Sequence, residues 1–200
     1  TYNVFESVEI YDPDTQTWSP SGDMDTPRGV HTATLLPDER ILMVGGNLEE
    51  NTAEVYDPST DTWATTGVMT FVRHSHTATN LGNGRILVTG GGSPADPSAE
   101  IYDGSSNEWS TTGDMKVARS DHTATLLPNG QVLIVGGGDS EGITLDSIEL
   151  FDTVSGRWQS DSWEGSWRGA ASLGHKRSEH AAVVLMSGEV LVAGGRDVPS

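Results

Sequence analysis

Short apolar segments recur along the chain, and glycine, proline or charged turn residues separate them. The clearest phrase, RGVHTATLLPDERILMVGG, runs from Arg28 to Gly46 and returns in altered form from Arg73, Arg119 and Arg177. In each copy, segments such as HTATLL and ILMVGG are typical of β-strands on either side of a tight turn such as PDER. The segments that follow, such as AEVYD and TWATT, predict a third and a fourth strand. The pattern therefore predicts an all-β chain made of four-stranded units.

The spacing of landmark residues gives the period of the repeat. Tryptophans near the end of each unit are 45, 46 and 49 residues apart, at Trp18, Trp63, Trp109 and Trp158. Periods of roughly 40–50 residues with glycine and aromatic landmarks are typical of β-propeller blades. Glycine lets a neighbouring backbone approach a sheet closely, and large rings fill the space between blades. Beside the tryptophans, the predicted scaffold residues are Gly45, Gly46, Gly90, Gly91, Gly136, Gly137, Gly194, Gly195, Tyr11, Tyr56, Tyr102 and Phe151.

With the glycine doublet, the Tyr-Asp pair and the Trp at these offsets, the chain resembles the kelch repeat. The wording HTATLLPNGQVLIVGG is similar to bacterial kelch repeats and to the propellers of the galactose oxidase and glyoxal oxidase families. The resemblance covers nearly the whole chain, in four copies. It implies that the HTATLL strand lies innermost and the Trp strand outermost in each blade. We therefore predict one kelch domain over residues 1–200, with repeats at about 1–30 plus 177–200, 31–75, 76–121 and 122–176.

In this blade order the chain begins with the last two strands of one blade and ends with the first two strands of another. A ring of four could close by pairing the EVLVAGG strand with the SVEIYD strand in one composite blade. Closure would remove exposed strand edges, which otherwise promote association. Two alternatives stay open: the chain is part of a larger ring, or it pairs with a second copy into eight blades.

An arginine stands three residues before the histidine of every repeat, at Arg28, Arg73, Arg119 and Arg177. The kelch resemblance implies a place in the loop that enters the innermost strand, around the mouth of the central channel. In kelch adaptors arginines at this place bind acidic residues of partner peptides, so all four are candidate ligand-binding residues. The structural alternative is that each arginine pairs with an acid that also recurs in every unit, at Glu9, Glu54, Glu100 and Glu149.

The fourth repeat carries an insertion, and binding sites on repeat folds usually lie where the repeats differ. The spacing from Trp to His is 13 residues in the first three units and 22 in the fourth. The extra residues bring Trp163, Trp167 and Arg168 onto the face expected to carry the repeated arginines. Two tryptophans in a Gly- and Ser-rich loop suit stacking on a sugar ring or anchoring a protein partner. The alternative is a loop that folds back and buries both rings.

Metal and cofactor sites are not predicted. One histidine per blade could suggest a shared metal ion, but no mixed His and carboxylate cluster with ligand spacing appears. We expect these histidines to form hydrogen bonds with neighbouring blades. The loop GDSEGITLDS carries Asp139, Glu141 and Asp146 but matches no calcium-binding spacing, so we expect a solvated acidic loop.

The composition narrows the partner classes. The formal net charge of −18 argues against nucleic acid as a partner, because long-range repulsion would oppose approach. The apolar runs are far shorter than a membrane-spanning helix, so no membrane insertion is expected. The chain has no cysteine, which excludes disulfides and thiolate metal sites but does not fix the compartment. We predict an extracellular or cell-surface location and expect that the chain can self-associate.

The leading functional hypothesis is a non-enzymatic binding module that recognises a protein segment or a glycan through loops on one propeller face. The first alternative is an enzyme: part of a galactose or glyoxal oxidase-like protein, or a sugar-epimerising enzyme. In the oxidase family copper requires a tyrosine cross-linked to a cysteine, and this chain has none. Epimerisation would require a paired acid and base, and no non-repeating pair stands out. The second alternative is a structural building block of an extracellular assembly.

Overall fold

A computed structural model describes residues 3–46, 51–160 and 172–198 of the chain. It contains three complete four-stranded antiparallel sheets, each a blade. The first complete blade consists of β3 (Thr32–Leu35), β4 (Ile41–Val44), β5 (Ala53–Asp57) and β6 (Thr62–Thr65). The second consists of β7 (Thr77–Gly82), β8 (Arg85–Thr89), β9 (Ala99–Asp103) and β10 (Glu108–Thr111). The third consists of β11 (Thr123–Leu126), β12 (Gln131–Val135), β13 (Ile148–Asp152) and β14 (Arg157–Ser160).

Two half blades flank the complete ones. Before the first blade, β1 (Glu9–Asp12) pairs with β2 (Thr17–Pro20). After the third blade, β15 (Ala181–Val184) pairs with β16 (Val190–Ala193). This is the strand content that the repeat pattern predicts, and the all-β propeller-blade architecture is confirmed. In the described ranges, no helix is long and apolar enough to cross a lipid bilayer.

Local turn chemistry explains why the last two strands of each blade form a hairpin. The aspartate that ends the third strand accepts a hydrogen bond on Oδ1 from the main-chain N–H two residues later. These bonds are 2.8–2.9 Å long and join Asp12 to Asp14, Asp57 to Ser59, Asp103 to Ser105 and Asp152 to Val154. Such Asx turns reverse the chain without a ligand or a tertiary contact.

The hydrophobic core lies between adjacent blades. The innermost strands β3, β7, β11 and β15 pack side by side in that order. One apolar cluster joins the first and second blades and includes Leu42, Val44, Ile86 and Tyr102. A second cluster joins the second and third blades and includes Leu87, Val132, Ile134 and Phe151. Each blade is therefore stabilised mainly by the neighbours that cover its two faces.

The described strands of the two half blades do not pair with each other into the composite blade considered for the sequence. Among the described strands, β1–β2 and β15–β16 are separate two-stranded sheets. Each is held by the complete blade next to it. The indole N–H of Trp63 in the first blade donates to the carbonyl oxygen of Gly22 beside β2, at 2.6 Å. At the other end, Thr123 of the third blade shares a hydrogen bond with His180 before β15, at 2.9 Å. The half blades thus stand at opposite ends of an open arc.

Candidate functional site

The repeated arginines of the three complete blades form buried ion pairs with the repeated glutamates. The distances from Arg Nη2 to the nearest Glu carboxylate oxygen are 2.6 Å for Arg28–Glu54, 3.1 Å for Arg73–Glu100 and 2.8 Å for Arg119–Glu149. Each Nη1 also donates to the carbonyl oxygen of the first glycine of the doublet, at 2.7–2.8 Å. The guanidinium group therefore joins the loop that enters a blade to that blade's second and third strands.

The glutamates complete the same network. Main-chain N–H groups of the entering loop donate to Glu54 from Asp25 at 2.6 Å and to Glu100 from Thr70 at 2.7 Å. Burial lowers the pKa of Arg73, while the adjacent Glu100 carboxylate acts in the opposite direction. Buried charges are tolerated only when they are paired and hydrogen-bonded, and that condition is met here.

This burial decides between the two interpretations of the arginines in the complete blades. Arg28, Arg73 and Arg119 are each 97% or more covered, with exposed fractions of 3%, 0% and 0%. In the structure these three arginines pair with the recurring glutamates. Their side chains therefore do not form an accessible basic rim. The correction has a simple cause: the recurring glutamate lies on the third strand, directly beneath the entering loop.

Arg177 differs from the other three arginines. Its Nη1 donates to the carbonyl oxygen of Gly194 at 2.8 Å, as in the complete blades. Among the described residues it has no carboxylate partner, and its side chain is partly exposed. The glutamate at the equivalent third-strand position is Glu9, which lies exposed on β1 at the other end of the arc.

The repeated histidines bind neighbouring blades, as expected. Nε2 forms hydrogen bonds of 2.9–3.1 Å with a threonine hydroxyl of the preceding inner strand, joining His76 to Thr32, His122 to Thr77 and His180 to Thr123. Burial lowers the pKa of His76 to about 3 and that of His122 well below its ordinary value. Both imidazoles are therefore neutral at pH 7 and act as scaffold.

A chain of main-chain hydrogen bonds joins the loops that enter the four inner strands. The N–H of Ser75 donates to the carbonyl of Val30 at 3.3 Å, that of Asp121 to Ser75 at 3.0 Å, and that of Glu179 to Asp121 at 2.9 Å. All four residues have φ between 53° and 57°, which turns the peptide groups toward the next blade. Their side chains differ in every repeat. The sequence carries no signal for this feature, because it depends on backbone atoms alone.

A cleft opens on the face that carries the long loops, between the loop that enters the second complete blade and the β8–β9 loop of that blade. Its volume is about 240 Å³, and it is lined by Phe71, Val72, His74, Gly92, Ser93, Pro94 and Asp96. The two lining loops are tied together, since the N–H of Gly92 donates to the carbonyl of His74 at 2.9 Å. The buried guanidinium of Arg73 lies 5.6 Å from the Phe71 ring centroid. Phe71 and Val72 are nevertheless 37% and 38% exposed.

Two other clefts lie on the opposite face, among the short hairpin turns. The first, of about 340 Å³, is lined by Leu36, Pro37, Asp38, Asn83, Gly84, Gly104 and Ser105. The second, of about 490 Å³, is lined by Asp38, Glu39, Arg40, Asp57, Pro58 and Ser59. Polar side chains in the turns around these clefts already pair with each other. Arg40 and Asp38, for example, form an ion pair at 2.7 Å.

The other predicted site residues lie outside what can be described. Trp163, Trp167 and Arg168 fall within residues 161–171, which the structure does not describe. The acidic loop is described, and there Asp139 Oδ1 accepts the N–H groups of Glu141 and Ile143, both at 2.9 Å. The Asp139 carboxylate therefore stabilises the turn in which it lies.

The described residues do not fit the copper site implied by the oxidase resemblance. The chain has no cysteine for the tyrosine cross-link. His76, His122 and His180 use Nε2 for threonines of adjacent blades. Within the described ranges, no group of three His, Cys, Asp or Glu residues could hold a metal ion.

Comparisons with known proteins agree with the blade geometry. Residues 118–160 match the Kelch motif. None of the curated proteins matches the chain in sequence. The solved structures similar to it include a fungal alcohol oxidase of the AA5 family in complex with copper, at 16% identity and a TM-score of 0.58. That match covers 96% of this chain and 54% of the oxidase, so the chain spans about half of that protein's length.

The structure of YjhT is also similar, with a TM-score of 0.70 at 14% identity, over 96% of this chain and 72% of that one. At such identities the likeness concerns the fold alone. Together, the four-stranded sheets and these neighbours show that the chain is built from β-propeller blades, and residues 118–160 carry a Kelch motif.

Proposed function

We propose that this chain is a non-enzymatic binding module that recognises a protein segment through the cleft between the loop that enters the second complete blade and the β8–β9 loop. The observation that carries the proposal is the partial exposure of Phe71 and Val72, side by side, in a cleft whose walls are otherwise held rigidly. Exposed aromatic and aliphatic groups in a concave site are typical anchors for a partner side chain.

The cleft is preorganised. Phe71 stands over the Arg73 guanidinium, which is itself fixed by Glu100, and Gly92 is bonded to His74 across the cleft. A ligand would therefore meet an apolar wall that does not have to be ordered on binding. Preorganisation of this kind increases affinity because less conformational entropy is lost.

Charge indicates the character of the partner. Asp96 lies at the cleft edge, and the whole chain carries a formal net charge of −18. A segment with an apolar side chain next to lysine or arginine would satisfy both features. Electrostatic attraction would also accelerate its association at low ionic strength.

A peptide-display selection against the whole chain tests the proposal. We expect retained peptides to combine an apolar residue with a basic one, and Phe71→Ala to weaken their binding at least roughly tenfold. Val154→Ala is the matched control, because Val154 is 95% exposed on a hairpin turn of the opposite face. Unchanged binding in Phe71→Ala would place the site elsewhere, and a selection that enriches no peptide would reject a protein partner.

The tryptophan-bearing loop provides a second test of the same function. Trp163 and Trp167 belong to the segment that precedes β15, as Phe71 belongs to the segment that precedes β7. If Trp163→Ala and Trp167→Ala abolish binding while Phe71→Ala does not, the fourth repeat rather than the described cleft carries recognition. Catalytic turnover of any retained ligand would contradict the non-enzymatic assignment.

A further inference from the structure

Asp96, in the β8–β9 loop at the edge of the cleft, is held in place by three hydrogen bonds. Its main-chain N–H donates to the carbonyl of Gly91 at 2.8 Å. Its Oδ1 accepts the N–H of Ser98 at 2.7 Å and also the Ser98 hydroxyl. That hydroxyl accepts a further bond from Nη2 of the buried Arg73, at 2.8 Å. The carboxylate is therefore positioned, through Ser98, by a buried guanidinium group.

Only one oxygen of this carboxylate is used. Among the described residues, Oδ2 of Asp96 has neither a hydrogen-bond donor nor an ion-pair partner. The Arg73 guanidinium donates to Glu100 and Ser98 instead. Because Asp96 lines the cleft and is only half-buried, Oδ2 is the acceptor that it offers to a ligand. The cleft thus combines a fixed anionic group with the exposed apolar wall.

The third complete blade shows which parts of this arrangement are scaffold. There Nη2 of Arg119 donates to the Ser147 hydroxyl at 3.2 Å, as Arg73 does to Ser98. Two residues before Ser147, however, the chain has Leu145 where the second blade has Asp96. Two residues before the arginine it has valine in place of Phe71. The bond between serine and arginine recurs, whereas the carboxylate and the aromatic ring do not, so these two groups are free to serve recognition.

The chemistry of the two basic side chains distinguishes them at this site. Arginine binds a carboxylate best through two parallel bonds, one to each oxygen. Oδ1 of Asp96 already accepts two donors, so a guanidinium could make only one of those bonds. An ammonium acts as a point charge with rotatable donors and needs only Oδ2. The four-carbon stem of a lysine can also cover Phe71 and Val72 while its charged end reaches the carboxylate.

We propose that the cleft binds one lysine side chain of the partner, and that Asp96 is the residue that selects lysine over arginine. The inference rests on the proposed function and narrows its ligand, because one residue then supplies both the apolar and the basic contact. Acetylation of that lysine would remove its charge and a donor, and would therefore release the partner. Binding at this cleft is thus controlled by a modification of the ligand.

Synthetic versions of the peptides retained in the display selection test the choice of side chain. Each lysine of such a peptide is replaced in turn by arginine, by norleucine, which keeps the stem without the ammonium, and by acetyl-lysine. Affinities for the unaltered chain are measured by fluorescence polarisation. At one lysine we expect norleucine and acetyl-lysine to weaken binding at least roughly fivefold, because a charged hydrogen bond is lost. Arginine should weaken it at least roughly threefold, because its second bond has no acceptor.

Variants of the chain test the assignment of Asp96. Asp96→Asn keeps an oxygen for Ser98 but removes the charge, and it should abolish the difference between the lysine and norleucine peptides. Asp114→Asn is the matched control, because it removes the same charge from an exposed residue outside the cleft lining and should preserve that difference. Ser98→Ala releases one lone pair of Oδ1, so arginine peptides should gain affinity relative to lysine peptides. Circular dichroism checks that every variant is folded.

The outcomes separate this inference from the function on which it rests. Retained peptides without lysine, equal binding of lysine and norleucine peptides, or a folded Asp96→Asn that still prefers lysine would overturn the lysine site. So would arginine peptides that bind the unaltered chain more tightly than lysine peptides. In each of these cases the proposed function stands if Phe71→Ala still weakens binding. A selection that enriches no peptide would overturn both.

Discussion

Arg73 and Glu100 form an ion pair buried to within 1% of exposure on both sides, with Nη2 and Oε2 3.1 Å apart. Arg73 lies in the loop that enters the second complete blade, and Glu100 lies on the third strand of that blade. The pair connects the loop face to the sheet beneath it. The same connection recurs in the first and third blades, so the loop face is anchored by charge as well as by packing.

The first prediction concerns this pair. Glu100→Gln leaves the buried Arg73 without a carboxylate, and we expect a loss of about 3–5 kcal/mol in the free energy of unfolding, measured by urea denaturation. Asp38→Asn removes the partner of Arg40 in an exposed pair and should cost no more than about 1 kcal/mol. Equal costs for the two variants would show that the buried pair does not stabilise the fold.

The second prediction is a loss of stability in mild acid. Burial lowers the pKa of His76 from 6.5 to about 3, so between these values the unfolded chain binds more protons than the folded one. Stability is therefore unaffected above pH 6.5 and falls as pH decreases toward 3, by up to about 1.4 kcal/mol per pH unit for each such histidine. His122, shifted in the same direction, adds to the slope.

Urea midpoints at pH 7.5 and pH 5 measure this effect. His76→Gln should reduce the difference between the two midpoints, whereas the exposed His175→Gln should leave it unchanged. Aspartates with lowered pKa values, such as Asp57 and Asp103, contribute only below about pH 4 and do not confound this range. Identical midpoints at the two pH values would contradict the prediction.

The third prediction compares two equivalent glycines. Gly90→Ala forces a methyl group against the Arg119 carbonyl of the next blade, in addition to the cost of a left-handed alanine. We expect a loss of about 2–5 kcal/mol. Gly194→Ala meets open space in a single arc and should cost only about 1–2 kcal/mol. Both should be measured by thermal or urea unfolding.

The fourth prediction compares two equivalent tyrosines. Tyr102→Ala removes a fully buried ring from the cluster between the first and second blades and should cost about 3–5 kcal/mol. Tyr11→Ala removes a ring that is half exposed at the start of the arc, and we expect a loss below about 1 kcal/mol. A large loss at Tyr11 would indicate that the arc buries its first half blade more fully than described.

The sequence predicted the blades well because their landmarks are residue types with a local role. Repeated Trp, Tyr-Asp and Gly-Gly spacings gave the strand order, and every complete blade follows it. The sequence left two interpretations of the arginines open: an accessible ligand-binding group, or the partner of a recurring glutamate. The recurrence of Arg28 and Glu54 does not reveal whether the arginine is buried. The cleft at Phe71 was not selected, because the loop that contains it has the same length as its counterparts and the sequence signals favoured the longer fourth loop.

Whether the arc closes could not be predicted from the repeat pattern. Complementary half blades are compatible with pairing inside one chain or between two, and the choice depends on the angle between consecutive blades. That angle is set by packing of side chains such as Leu42 and Ile86 between sheets, which the spacing of landmarks does not encode.

The main-chain relay between the entering loops has a consequence for how such a protein can diversify. Peptide groups of Val30, Ser75, Asp121 and Glu179 hold consecutive blades together, so the identity of each side chain is free to change. These four positions already carry Val, Ser, Asp and Glu in the same left-handed conformation, so they can differ in charge, size or polarity without changing the main-chain bonds. The centre of the loop face is therefore the part of the chain where new ligand preferences can evolve one residue at a time.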